Sequence, residues 1–99
     1  MVKVIIKTAT QKGKKLQAIF YENNKKIKTT AFGAKGYLDY TSGATKEQRE
    51  RYIKRHTNSK ENHNNPMTAG SLSFYILWGN STSKAINIKA FKKKFNLNK

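Results

Sequence analysis

The chain opens on an apolar run broken by lysines, VKVIIKTA from Val2 to Ala9, in which β-branched and polar positions partly alternate. That is the period of a strand with one buried and one wet face. A turn around Gly13 (Gln11 to Lys14) leads into a second run, LQAIFY from Leu16 to Tyr21, and Asn23-Asn24 supplies another turn before a third, Lys26 to Phe32. Ile27, Thr29 and Ala31 fall on one side of this third strand, which leaves Lys26 and Lys28 for water. Turns this short join neighbours in antiparallel fashion, so residues 1–32 predict a three-stranded meander.

From Phe32 to His56, FGAKGYLDYTSGATKEQRERYIKRH, the pattern changes period. Gly33 and Gly36 bracket Lys35 at a point where the backbone must bend between strand and helix, and glycine accepts φ > 0 at little steric cost. Thr45 and Gln48 have the spacing of a capping box, which starts a helix at about Lys46. Glu47 and Glu50 precede Arg51 and Lys54 by four residues, the order that favours ion pairs along a helix. The segment Thr57 to Asn65 is polar and Asn-rich and predicts a mobile loop. Asn65 as N-cap, Pro66 at the first helical position and Gly79 as the stop frame a second helix. It contains the most apolar run, Leu72 to Trp78, which belongs in the core; periodicity in so short a stretch allows a strand too, and the two end signals favour the helix. Ser81, Thr82 or Ser83 can cap a last helix from about Lys84 to Phe95, with Ile88, Phe91 and Phe95 on one stripe. The fold class is therefore α+β: a three-stranded antiparallel sheet followed by three helices, residues 1–32 forming the strand region and 33–99 the helical region of one domain.

Charge changes this picture more than hydropathy does. The 99 residues carry a net charge of +16, and the excess is spread along the chain: +7 over residues 1–31, +3 over 32–67 and +6 over 68–99. A small domain this basic repels itself, and a polyanion relieves that repulsion. Nucleic acid is the commonest such partner and an anionic membrane surface the second. Cysteine is absent, which removes disulfides and thiolate zinc sites. The N-terminal run carries Lys3 and Lys7 and is too short for a signal-peptide core or a span. A soluble intracellular protein, or one packaged inside something, is expected.

The inventory for catalysis is thin. Glu22, Asp39, Glu47, Glu50 and Glu61 are the only acids, His56 and His63 the only histidines, and neither a nucleophile elbow nor a phosphate-binding loop is present. The reading is a protein that is not an enzyme, with no catalytic residues, no metal, no cofactor and no small-molecule substrate. Asp39, between Tyr37 and Tyr40, is expected to pair with a nearby Lys or Arg and hold the bend.

Phosphate binding is better provided for, because lysine and arginine release counterions from nucleic acid, and arginine bonds two phosphate oxygens at once. On a helical wheel Gln48, Arg51 and Arg55 project together with Lys54 at their edge, opposite Arg49, Tyr52, Ile53 and His56. The candidate nucleic-acid contacts are Arg49, Arg51, Lys54 and Arg55 on the first helix, Lys89, Lys92, Lys93 and Lys94 on the last, Lys35 in the bend, and Lys26 and Lys28 on the third strand. Phe20, Tyr21, Tyr37, Tyr40 and Tyr52 are the candidate stacking platforms, most of them more simply core.

The motifs FGAKGYLDYT, RERYIKRH, AGSLSFYILWG and KKKFNL, spanning Phe32 to Leu97, resemble a small basic domain encoded by large (giant) DNA viruses of algae and amoebae. The shared features are Gly36 to Thr41, Arg51 to His56, Leu77-Trp78 and Lys92 to Phe95. The resemblance implies a protein of the virion interior, held with the genome and made in the host cytoplasm or viral factory. Its expected partner is double-stranded DNA, bound without sequence preference and compacted. Compaction needs two binding faces or a homo-oligomer, and the sequence leaves these open. Two alternatives stand beside it: a minor capsid or core component whose basic surface docks on protein or membrane, and an RNA-binding module.

Overall fold

The computed structural model describes residues 2–57 and 63–97. Strands β1 (Val2–Thr8), β2 (Lys14–Glu22) and β3 (Lys25–Ala34) pair in the order β1-β2-β3, antiparallel throughout. The β2–β3 turn puts Asn23 and Asn24 at φ 52° and 66°, the double left-handed conformation that matches strand twist in a two-residue hairpin and that asparagine tolerates. Helices α1 (Lys46–Thr57), α2 (Ala69–Leu72) and α3 (Lys84–Lys94) follow, and α2 runs on into a π-helical turn, Ser73–Leu77. The sheet and three helices close into a single globule.

The helices pack on one sheet face, and of the other only Gln17 and Ile19 of the central strand are buried among the described residues. Paired residues in an antiparallel ladder share a face, so Val4 with Phe20, Ala18 with Thr30 and Leu16 with Phe32 mark the inner one. Phe20, Phe32, Leu72, Ile76 and Phe91 are fully buried there, with Leu77 and Leu97 beside them. The outer face bears Lys3, Ile5 and Lys7 along β1, and Ile5 is half exposed.

The register of β3 corrects the expected alternation. Phe32, not Ala31, supplies the core contact, and a bulge at Phe20/Tyr21 leaves Ile27 as the extra residue between Lys28, opposite Phe20, and Lys26, opposite Tyr21. A bulge sets two residues against one and re-aims the neighbours. Lys26 and Lys28 are thereby sent to opposite faces, and Ile27 is exposed rather than buried. Both lysines remain exposed.

The second helix also starts later than expected. Thr68, not Asn65, is its N-cap, accepting from the Ser71 amide, while the Asn65 side chain accepts from the Met67 amide in a turn over Pro66. Asparagine competes for nearby backbone donors in this way, and here it builds the approach to the helix instead of its first turn. Gly79 follows the C-cap residue Trp78, and its role is space: a Cβ would lie 2.4 Å from the Tyr75 carbonyl oxygen and 2.6 Å from Asn87 Cγ. Ser83 caps α3 through the Ile86 amide. The helix ends in a Schellman motif, with Asn96 at φ 57° and the Leu97 and Asn96 amides returning to the carbonyls of Lys92 and Lys93. Of the expected mobile loop Thr57 to Asn65, residues 58–62 lie outside the described residues; the His63 ring stacks on Phe74 at 4.0 Å.

Candidate nucleic-acid interface

The bend between β3 and α1 is a hydrogen-bonded hub centred on Asp39. Its side chain is buried, and Lys15, brought alongside by β2, donates from Nζ to Asp39 Oδ2 (2.6 Å) and to the Tyr37 carbonyl (2.5 Å). The Thr41 amide and hydroxyl donate to Asp39 Oδ1 at 2.8 and 2.6 Å, and the Asp39 amide donates to Ser42 Oγ. The amides of Ser42 and Ala44 close onto the Asp39 carbonyl, and that of Tyr40 onto the Leu77 carbonyl. Burial pushes the Asp39 pKa up, but hydrogen bonds from Lys15 and Thr41 and the Lys15 charge together outweigh it, holding the carboxyl below its ordinary value. The expectation that Asp39 pairs with a cation holds, and the cation is a lysine 24 residues earlier.

Two glycines permit the approach. Gly36 sits at φ +88°, and Gly33, at φ +79°, has Leu77 Cδ1 2.7 Å from where a Cβ would stand. The strand therefore leaves the sheet against the π-helical turn, with Tyr37 and Leu38 at the outer tip. Those two side chains are 73% and 57% exposed although the Tyr37 amide and carbonyl and the Asp39 backbone around them are hydrogen-bonded.

Helix α1 starts as its capping box requires, the Thr45 amide donating to Gln48 Oε1 and the Gln48 amide to Thr45 Oγ1. It has no buried residue and is fixed by one side only. Arg49 donates from Nε to the carbonyls of Trp78 (3.1 Å) and Gly79 (2.8 Å) and from Nη2 to Asn80 Oδ1, and it lies over the Tyr40 ring. A cation on the last carbonyls of a helix answers both their missing partners and the dipole. Tyr52 stacks on Trp78 at 4.3 Å and on His56 at 4.0 Å. Arg49 is thus committed to holding α1, which sets it apart from the phosphate candidates.

The other side of α1 is left to solvent. Arg51, Lys54 and Arg55 are exposed and make no hydrogen bond or ion pair among the described residues. The ion pairs expected from Glu47 to Arg51 and Glu50 to Lys54 do not form; exposed pairs gain little in water against the entropy of fixing two long side chains. Together with Tyr37, Leu38, Gln48, Tyr52 and Trp78 these cations line one open concavity.

The remaining candidates lie elsewhere. On α3, Lys89 and Lys93 are exposed on the outer side, Lys92 is half-buried, and Lys94 lies over the rings of Tyr75 and Phe95. Lys35 is exposed beside Gly36, its amide bonded to the Gly13 carbonyl. Lys26 and Lys28 are at the far end of β3, about 20 to 25 Å of strand away from Ala34. Among the stacking candidates Phe20 is core, Tyr40 and Tyr52 are half-buried in ring contacts, and Tyr37 alone of these three loop and helix tyrosines is open. Leu38 was not singled out by pattern and Trp78 was expected in the core; Trp78 is half-buried, and only the tertiary packing brings the two to α1. Among the described residues no cluster of three or more His, Cys, Asp or Glu could hold a metal, and no helix is long and apolar enough to cross a membrane.

A family model described as a family of unknown function (DUF5754) matches residues 4–56. The chain belongs to this family. The DUF5754 match takes in the sheet from Val4 on, the Asp39 hub and all but the last residue of α1, and it ends before α2 and α3. No curated protein and no solved structure matches the chain.

Proposed function

We propose that this DUF5754 protein binds double-stranded DNA without sequence preference, with the outer side of α1 as the primary phosphate contact. The observation that carries the reading is the division of one short helix. Arg49 is consumed by carbonyls of the chain itself, while Arg51, Lys54 and Arg55 stand exposed around a concavity, unpaired among the described residues. Guanidinium groups unpaired among the described residues have no such internal partner to give up on meeting phosphate, the planar fork loses less freedom per hydrogen bond formed than lysine does, and each neutralised phosphate releases counterions. Lys35, Lys89 and Lys93, with Lys26 and Lys28 more distant, widen the field that draws a polyanion in. The resemblance to a domain of large DNA viruses extends the proposal to packing a genome inside a virion.

Affinity for a random-sequence duplex of about 30 base pairs across a salt series is the test, with single-stranded DNA, RNA and anionic liposomes as competitors. A loss of orders of magnitude between about 50 and 200 mM salt, with duplex preferred, supports the reading. Weak, salt-insensitive duplex binding contradicts it, and a clear win for RNA or liposomes transfers the basic surface to that partner.

A further inference from the structure

The least expected feature of the surface is a pair of large apolar side chains held out to water by one of the most heavily bonded loops of the molecule. Tyr37 and Leu38 are 73% and 57% exposed. Exposed apolar residues on floppy loops are unremarkable, since such loops can fold them back. Here the loop is tied on both sides of the tip: the Tyr37 carbonyl accepts from Lys15, its amide bonds the Ala34 carbonyl, and Leu38 is followed by the buried, fully bonded Asp39. The tip is preorganised to present these side chains, and the concavity it borders carries Arg51, Lys54 and Arg55 and no acid. Cations that seat a phosphate backbone on α1 bring the tip against the same stretch of duplex. Apolar wedges beside phosphate-binding cations part base steps and kink the helix.

We infer that Tyr37 and Leu38 form a wedge that enters the base stack of the bound duplex, so that the protein kinks DNA as it binds. The inference rests on the duplex-binding reading above. It supplies compaction by a single copy, through bending, with neither a second DNA-binding face nor self-association.

The experiment uses the full chain and a duplex of about 30 base pairs carrying a fluorescence donor and acceptor at its ends, beside the same duplex with a two-nucleotide bulge and vesicles rich in phosphatidylserine. Wild type should raise energy transfer on binding and favour the bulged duplex by about tenfold or more, because the bulge removes most of the unstacking cost. Tyr37→Ala/Leu38→Ala removes two exposed side chains and leaves every hub hydrogen bond in place, so it should fold as wild type. It should lose the bend and the bulge preference while keeping the salt slope, since no phosphate contact is removed. Leu38→Met should retain the bend. Wild-type binding with a steep salt slope but straight DNA overturns the wedge alone. Equal bending by the double variant also overturns it, as does a defect of that variant confined to vesicles. Failure of wild type to bind any duplex at low salt removes the duplex reading itself.

Discussion

Helices α1 and α3 are both short and basic, yet they are attached to the protein by opposite means. Helix α3 buries Asn87 and Phe91, and the Asn87 side chain ties the Ile76 and Ser81 carbonyls and the Ser81 amide together across the turn before it. Helix α1 buries nothing completely and is held by Arg49 on two carbonyls and by the Tyr52–Trp78 stack. Apolar burial is strong and indifferent to direction, whereas hydrogen bonds and ring stacking contribute less and fix orientation. Lysines on α3 therefore ride on a structural helix, while α1 is oriented more than it is buried, as the proposed DNA contact on its other side requires.

The largest effect should come from breaking the structural helix. Phe91→Ala removes a fully buried ring beside Tyr75 and Phe95 and should cost about 3–5 kcal/mol in urea unfolding. Next comes the hub: Asp39→Asn leaves Lys15 facing no negative charge and should cost about 3 kcal/mol by the same measurement. Its acid dependence has a definite sign. The folded carboxyl lies below its unfolded value near 3.8, so its contribution is complete above that pH and is lost as pH falls through the lower folded value. Wild type should thus lose stability as the pH falls below 3.8, and Asp39→Asn should show a shallower loss over the same range.

Arg51→Ala/Arg55→Ala comes third. It should change stability by no more than about 0.5 kcal/mol, since neither side chain has a partner among the described residues. Duplex affinity at about 0.1 M salt should nonetheless fall roughly tenfold or more, alike for every sequence. The smallest effect belongs to Lys89→Ala/Lys93→Ala, with an affinity loss of about threefold, as for charges that add to the field without lining the concavity.

Local rules made much of this legible in the sequence. The three strands, the turns at Gly13 and Asn23-Asn24, the Thr45/Gln48 cap and the last helix depend on neighbours within a few residues, and the structure has them where pattern places them. What escaped depends on distant partners. The bulge that separates Lys26 from Lys28 is a property of two strands paired, and alternation along one strand carries no trace of it. Asn65 and Thr68 are both good caps, and the choice falls to Thr68, in a segment that Thr30 ties to β3 through the Met67 carbonyl. The π-helical turn likewise has no period of its own in five residues. For the site, the wheel of α1 separated Arg51 and Arg55 from Tyr52 and Ile53 correctly. Arg49 as a helix-end cap and Tyr37 as an open aromatic follow from the positions of Gly79 and Lys15, each more than 20 residues away in the chain.

The central claim is that the unpaired side of α1 is where phosphate is bound. Its most direct test is the slope of log affinity against log salt for a random duplex, measured for wild type, Arg51→Ala/Arg55→Ala and Lys89→Ala/Lys93→Ala. Each lost phosphate contact lowers the slope by about 0.9, so the α1 variant should be shallower by nearly two units and the α3 variant by less than one. Equal slopes for wild type and the α1 variant, or the larger change in the α3 variant, would contradict the account.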